Sequence, residues 1–250
     1  MSRAGWLRLL VVSGAVLLLD LACRTGIITP LTMIPPSAMA AALLALIGAG
    51  RFTADIVKTL GNVTLACALA VVVGFSFGVL IHAMRRVRRA LEPLLASYYA
   101  VPFFVFYPLL IVLFGLNDLP IVAIGFLFAV VAMVISTMNG LDRIPPVLLK
   151  VGRAHRLGPL RSALLIKLPA AAPYLFTGVK LAVAYAFIGV IAAEFILSGG
   201  GIGYAIAYAY NNFDNRTMYA LMLLILAVVM AVNLVLHGWE QRLYRRRGGR

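Results

Sequence analysis

Long apolar stretches alternate along this chain with short segments rich in charge, proline or glycine. About 20 mostly apolar residues are what a helix needs to cross a bilayer. On that pattern the chain predicts six spans: Leu9 to Ala22, Thr59 to Ala83, Leu94 to Leu116, Ile121 to Asn139, Tyr174 to Leu197 and Met218 to His237. The first run lies beside Arg3 and Arg8 and resembles a cleavable leader ending at Cys23. Asp20 stands where such a leader wants an apolar residue, so the run is read as a retained span. Pro30, Pro35 and Pro36 break the chain after it. Ser37 is a suitable N-cap for a helix to about Leu46, too short to span and so interfacial. Gly48 and Gly50 end that helix. Gly61, Gly74 and Gly78 in the second span let a neighbouring helix come close. Pro102 and Pro108 are expected to kink the third span, which suits a helix lining a path.

Between the fourth and fifth runs the pattern changes. Asp142, Arg143, Pro145 and Pro146 end the fourth, and Val147 to Pro159 is polar and basic. Leu148 and Val151 recur at helical spacing, with Lys150, Arg153 and Arg156 on another face. Leu157-Gly158-Pro159 reads as a helix end and a new start. Glycine takes the left-handed cap conformation and proline opens the next helix. Two short helices are therefore expected to meet at Gly158, the second running from Pro159 to Lys167. The hairpin is too polar for lipid and too regular for a random loop. It reads as a handle on which a soluble partner pushes.

Composition agrees with the spans. Hydrophobic residues make up 63% of the chain and charged residues 12%, against roughly half and a quarter in soluble domains. The net charge of +14 is local rather than a nucleic-acid signature. With six spans, 17 of the 22 Lys and Arg fall in the segments on one side, four on the other, and Lys180 within the fifth span. The positive-inside rule then places both termini and the hairpin in the cytoplasm. Two cysteines, Cys23 and Cys67, make no disulfide framework, and no metal-ligand spacing is present. No cofactor is implied. Glu194 near the outer end of the fifth span is the sharpest ionisable candidate. It is expected either to shape a gate or to contact a solute-delivering partner, and the pliable cluster Gly199, Gly201 and Gly203 and the kink at Pro102 are expected to belong with it to a translocation path or gate. Lys180 is expected to snorkel. Tyr208 and Tyr210 in an outer loop, residues 198 to 216, suit an interfacial belt. The basic tail, 241 to 250, is expected to be disordered.

The segment around the hairpin resembles the loop motif of binding-protein-dependent ABC transporter permeases: Glu-Ala-Ala, three residues, Gly, nine residues, Ile-x-Leu-Pro. The matching positions are Gly152, Arg153, Ala154, Gly158, Ile166, Leu168 and Pro169, with a glycine in place of the Glu and a spacer of seven residues. Ile34-Pro35-Pro36-Ser37 is similar to the family's extracytoplasmic start. Leu91-Glu92-Pro93, Val101-Pro102, Tyr107-Pro108-Leu109 and Phe114-Gly115-Leu116 are similar to the nitrate, sulfonate and taurine branch. So are Thr177-Gly178, Ala193-Glu194-Phe195-Ile196 and Gly201-Ile202-Gly203-Tyr204. The resemblance implies an all-α polytopic membrane protein of the type I ABC importer fold, with about six transmembrane helices and a cytoplasmic coupling hairpin. It divides the chain into residues 1–57 (first span and interfacial segment), a permease core at 58–240 with the hairpin at 143–170, and the tail. Arg153, Ala154, His155, Leu157 and Gly158 would meet the ATPase. The implied partners are cytoplasmic ABC ATPases, an extracytoplasmic solute-binding protein and a second copy of the permease in the bacterial inner membrane. The solute would be an organic sulfonate, taurine, nitrate or a similar compound. The chain lacks a Gly-x-x-x-x-Gly-Lys-Ser/Thr loop, so it is expected to be a transport subunit and not an enzyme. An ion-coupled secondary transporter is the competing reading, but the halves show no repeat.

Overall fold

The computed structural model describes residues 3–29 and 32–247. Its helices are α1 Arg3–Arg24, α2 Pro36–Gly48, α3 Thr53–Ala83, α4 Arg85–Ser97, α5 Tyr107–Phe114, α6 Leu119–Asp142, α7 Pro146–Ala154, α8 Pro159–Ser162, α9 Leu168–Leu197, α10 Ile202–Asn211 and α11 Asn215–Arg247. Among the described residues four helices are long and apolar enough to cross a bilayer: α3, α6, the continuous stretch Pro159–Ile196, and α11 to Arg242. The pair either side of a break at residues 101–102 makes a fifth if counted together. α1 is an unbroken helix of 22 residues over the stretch read as the first span.

α6 is the hub, and α3 and α9 flank it. Its buried residues include Ile121, Ile124, Ala129, Val134 and Thr137. Small residues set how close the flanking helices come. A Cβ on Gly78 of α3 would stand 2.6 Å from Thr137 Cβ, and one on Gly178 of α9 would stand 2.7 Å from Ser136 Cβ. Without a hydrophobic drive between helices in lipid, close van der Waals contact of this kind holds spans together. The outward faces of α3 and α11 carry exposed Leu65, Leu69, Val72, Leu226, Met230 and Leu234, as lipid-facing surfaces should.

Several sequence expectations are corrected. The third span is a broken pair bent by 87°, not a kinked helix. Pro102 forces Val101 into extended backbone (φ −80, ψ 119), because a residue before proline is disfavoured in the helical region. Pro108 does not kink anything. It sits in the first turn of α5, where its missing N–H costs nothing. Ser37 is not the N-cap of α2, which follows Pro35. Its N–H and Oγ instead donate to Asp20 Oδ1 at 3.0 and 2.6 Å, so a carboxylate on α1 serves the first turn of α2. The outer loop 198–216 contains α10, whose Ile202, Ala205, Ile206 and Ala209 are buried. The tail is helical to Arg247.

Candidate functional site

Three places carry polar chemistry. The first is a latch around Glu194. α9 ends at Leu197, and Ser198 to Gly201 turn the chain into α10. Gly201 has φ +100, a conformation open mainly to glycine. This turn brings the N-terminus of α10 back over Glu194, which is fully buried. Glu194 Oε2 accepts from Gly203 N–H at 3.1 Å and from Thr59 Oγ1 at 2.7 Å. Thr59 Oγ1 in turn accepts from Ile202 N–H at 2.8 Å. Asp55, one turn earlier on α3, accepts from Gly201 N–H at 2.9 Å. The free N–H groups of α10 are thus satisfied by side chains of α3 and α9, with negative charge at the positive end of the helix dipole. Lys58 pairs with Asp118 at 2.9 Å and ties α3 to the start of α6. Glu194 Oε1 and Asn62 Nδ2 remain buried without a hydrogen-bond partner.

Of the expected gate residues, Glu194, Gly201 and Gly203 come together. A Cβ on Gly203 would stand 2.6 Å from both Glu194 Cβ and the Ile191 carbonyl, so this position admits only glycine. Gly199 has open space around it. Pro102 stands at the break of the third span, and the contacts of Glu194 do not include it. Asp55, Thr59 and Asn62 were missed by sequence reasoning. They lie more than 130 positions from Glu194, and only the fold makes them neighbours.

The second place is the hairpin. α7 opens on Pro146 and ends in a complete Schellman turn. The Leu157 amide donates to the Gly152 carbonyl at 3.0 Å, and the Arg156 amide to the Arg153 carbonyl at 3.0 Å. The left-handed residue this turn requires is Arg156, φ +49, not Gly158. Gly158 is extended (φ −61, ψ 163) and is the N-cap of α8. Nine residues also separate Arg156 from Ile166, the spacing of the motif. The motif's glycine position is therefore Arg156, and Lys150, Val151 and Gly152 occupy the Glu-Ala-Ala positions. The spacer is of full length, and the departure is a charge reversal at Lys150. Gly152 is buried, and a Cβ there would stand 2.7 Å from Ile166 Cδ1, so its absence lets α7 seat on the segment that follows. That segment is no separate second helix. α8 passes through a π turn, Ala163–Lys167, into α9. Pro169 has no N–H to give the Leu165 carbonyl, and a π turn is one way a helix absorbs such a defect. Arg153, Ala154, His155 and Gly158 are exposed and Leu157 is half-buried. Leu160 and Leu164, which follow, are exposed as well.

The third place was not anticipated as a unit. α6 presents Ala132, Ile135, Ser136 and Asn139, and α9 presents Tyr174, Thr177, Leu181 and Tyr185, to a common cleft of about 350 Å3 that Tyr99 completes. Both sets follow helical spacing, so each helix gives one stripe. The rings of Tyr99 and Tyr185 stack with centroids 5.1 Å apart. At one end Arg143 lies over the Tyr174 ring, 5.3 Å from its centroid. Lys180, expected to snorkel, instead pairs with Glu240 of α11 at 2.8 Å.

Comparison with known proteins gives a consistent answer. The family described as binding-protein-dependent transport system inner membrane component matches residues 70–249. The nitrate import permease protein NrtB of Leptolyngbya laminosa is 28% identical over 179 residues, 72% of this chain and 64% of that protein. The bicarbonate transport system permease protein CmpB of Synechocystis is 32% identical over 155 residues, 62% of this chain and 55% of that protein. The chain thus spans just over half to just under two thirds of these relatives. An inward-facing structure of the MetNI methionine ABC transporter superposes with a TM-score of 0.66 at 19% identity, over 77% of this chain and 95% of the matched one. That likeness establishes the fold.

Proposed function

We propose, from the premise that this chain belongs to the family of binding-protein-dependent transport system inner membrane components, that it is the membrane subunit of an ATP-driven ABC importer. Its solute is a small compound such as nitrate, bicarbonate, an organic sulfonate or taurine, delivered by an extracytoplasmic binding protein. Two copies form the pathway in the bacterial inner membrane, with both termini in the cytoplasm. Separate ATPase subunits supply the energy.

The observation that carries this reading is the hairpin. A short helix closed by a Schellman turn is seated on a segment that runs unbroken into a membrane helix, Pro159–Ile196. A partner that moves α7 therefore moves α9. The exposed face combines apolar Leu148, Val151 and Leu160 with Lys150, Arg153, Arg156 and Arg161, and no Asp or Glu occurs between Asp142 and Glu194. The docking groove of the ATPase is accordingly apolar with an acidic rim. In this reading Glu194 and its neighbours gate the outer side by holding or releasing α10.

The test is uptake into liposomes holding the chain, its ATPase and its binding protein. Uptake of the solute should require ATP and the binding protein. Uptake that continues without ATP and follows an ion gradient would sink the proposal in favour of a secondary transporter.

A further inference from the structure

We propose that the cleft between α6 and α9 binds a small oxoanion within the membrane. This rests on the reading of the chain as a transport subunit and adds to it a site of named residues. Six side chains able to hydrogen-bond converge there: Tyr99, Ser136, Asn139, Tyr174, Thr177 and Tyr185. Polar side chains in a span are costly, and when they gather on one cavity they mark a solute path. Among the described residues the Ser136 hydroxyl and the Asn139 amide have no hydrogen-bond partner, which leaves both free for a ligand. The Thr177 hydroxyl donates only to the carbonyl one turn back, Pro173, at 3.1 Å.

The chemistry of the lining selects the sign of the ligand. No carboxylate lines the cleft, so a cation finds no counter-charge. The Tyr99 and Tyr185 rings stack on each other at an interplanar angle of 24°, which turns aromatic faces away from a cation and leaves hydroxyl edges. Arg143 at one end, 3.4 Å from the Tyr174 hydroxyl, supplies a positive potential. Hydroxyl and amide donors around a guanidinium suit a compact ligand with several acceptor oxygens. The broken third span points the same way. Its irregular backbone, residues 98–102, lies beside the cleft, and such backbone is tolerated at membrane depth only where protein buries it or where it lines a wet cavity. A volume of about 350 Å3 holds a small ion and several waters, each taking about 30 Å3 of liquid.

The test uses the full chain in lipid nanodiscs with Cys23→Ser and Cys67→Ser, and a single reporter, Thr177→Cys, labelled by N-ethylmaleimide. Sodium nitrate, bicarbonate and methanesulfonate are the probes, and choline chloride is the control. At least one oxoanion should slow labelling several-fold while choline does not. Adding Asn139→Asp should raise the concentration for half-protection by roughly tenfold or more, because like charges a few ångströms apart in a part-buried site repel strongly. Protection by none of the anions, equal protection by choline, or indifference to Asn139→Asp overturns the proposal. A thiol at position 177 that never labels shows that the partner copy fills the cleft, and overturns it as well. Loss of ATP-driven uptake alongside intact anion protection would instead defeat the transport reading and leave the anion site standing.

Discussion

The Glu194 latch makes a quantitative claim. Glu194→Ala removes the acceptor for two donors, the Gly203 N–H at 3.1 Å and the Thr59 hydroxyl at 2.7 Å. Both lie in a region closed to water, and each orphaned donor costs about 1 to 3 kcal/mol. The side chain is fully buried, so its loss also leaves a void. Against this, the variant sheds the unpartnered Oε1. The net expectation is about 2 to 5 kcal/mol, which for a chain of this size is a fall in melting temperature of about 5 to 15 °C. Glu194→Gln keeps an acceptor and loses only the charge assistance, so it should fall by roughly a third as much. The assay is thermal unfolding in detergent, read by a thiol-reactive fluorogenic dye on Cys23 and Cys67, which are buried and half-buried. Thr59→Val should lose much of its effect in the Glu194→Ala background, with a coupling of about 0.5 to 3 kcal/mol. An alanine variant that melts within about 1 °C of the parent, or additive effects of the two changes, would refute the latch.

Three other outcomes follow from the hairpin and the start of α11. Arg156→Gly should stabilise the hairpin by about 1 kcal/mol by relieving the left-handed residue, while Gly158→Val should leave ATPase binding intact, because Gly158 is extended and a Cβ there meets open space. Thermal unfolding reads the first and co-purification with the ATPase the second; an Arg156→Gly variant that melts below the parent, or loss of the complex in Gly158→Val, would contradict the assignment. Asp214 Oδ1 accepts from Thr217 N–H at 3.0 Å, and the hydrogen bonds from Thr217 hold its carboxyl below the usual aspartate range. A lowered folded value means the stabilisation is full above the unfolded pKa of about 3.9 and is lost as pH falls through the folded one. The melting difference between the parent and Asp214→Ala should therefore be steady from pH 7 to about pH 5 and shrink below about pH 4.

What the sequence shows of this fold follows from length and hydropathy, and what it hides follows from contact. The spans over α3, α6, α9 and α11 were legible because each is an apolar run of at least about the length a bilayer requires. The break at Val101 was not, since Leu94 to Leu116 stays apolar through it. Proline there could equally kink a helix or end one, and only the preceding residue's extended backbone decides. The Gly cluster before α10 masked a helix, because glycine signals a turn more strongly than Tyr204 to Tyr210 signal helical period. In the hairpin, glycine's preference for the left-handed region drew attention to Gly158, while the residue that adopts it is Arg156. The nine-residue count back from Ile166 was the available clue. Glu194 stood out from the expense of a buried charge alone. Its partners Asp55 and Thr59 had no such mark.

The unbroken run from Pro159 to Ile196 has a mechanical consequence. α9 meets α6 backbone to backbone where Gly189 faces Gly125: a Cβ on Gly189 would stand 2.8 Å from the Gly125 Cα, which makes that crossing the natural fulcrum of a tilt. At 1.5 Å per residue, the arm from Gly189 to Pro159 is about 45 Å and the arm to Glu194 about 8 Å, so displacement at the hairpin returns at the other end reversed in sense and about sixfold smaller. A tilt of about 5° shifts the hairpin end by about 4 Å and Glu194 by about 0.7 Å. That is comparable with the slack of the bonds from Thr59 at 2.7 Å and Gly203 at 3.1 Å, which fail beyond about 3.5 Å. In the proposed reading the lever is a reducing one: a long stroke at the hairpin becomes a fine adjustment of the closure over α10.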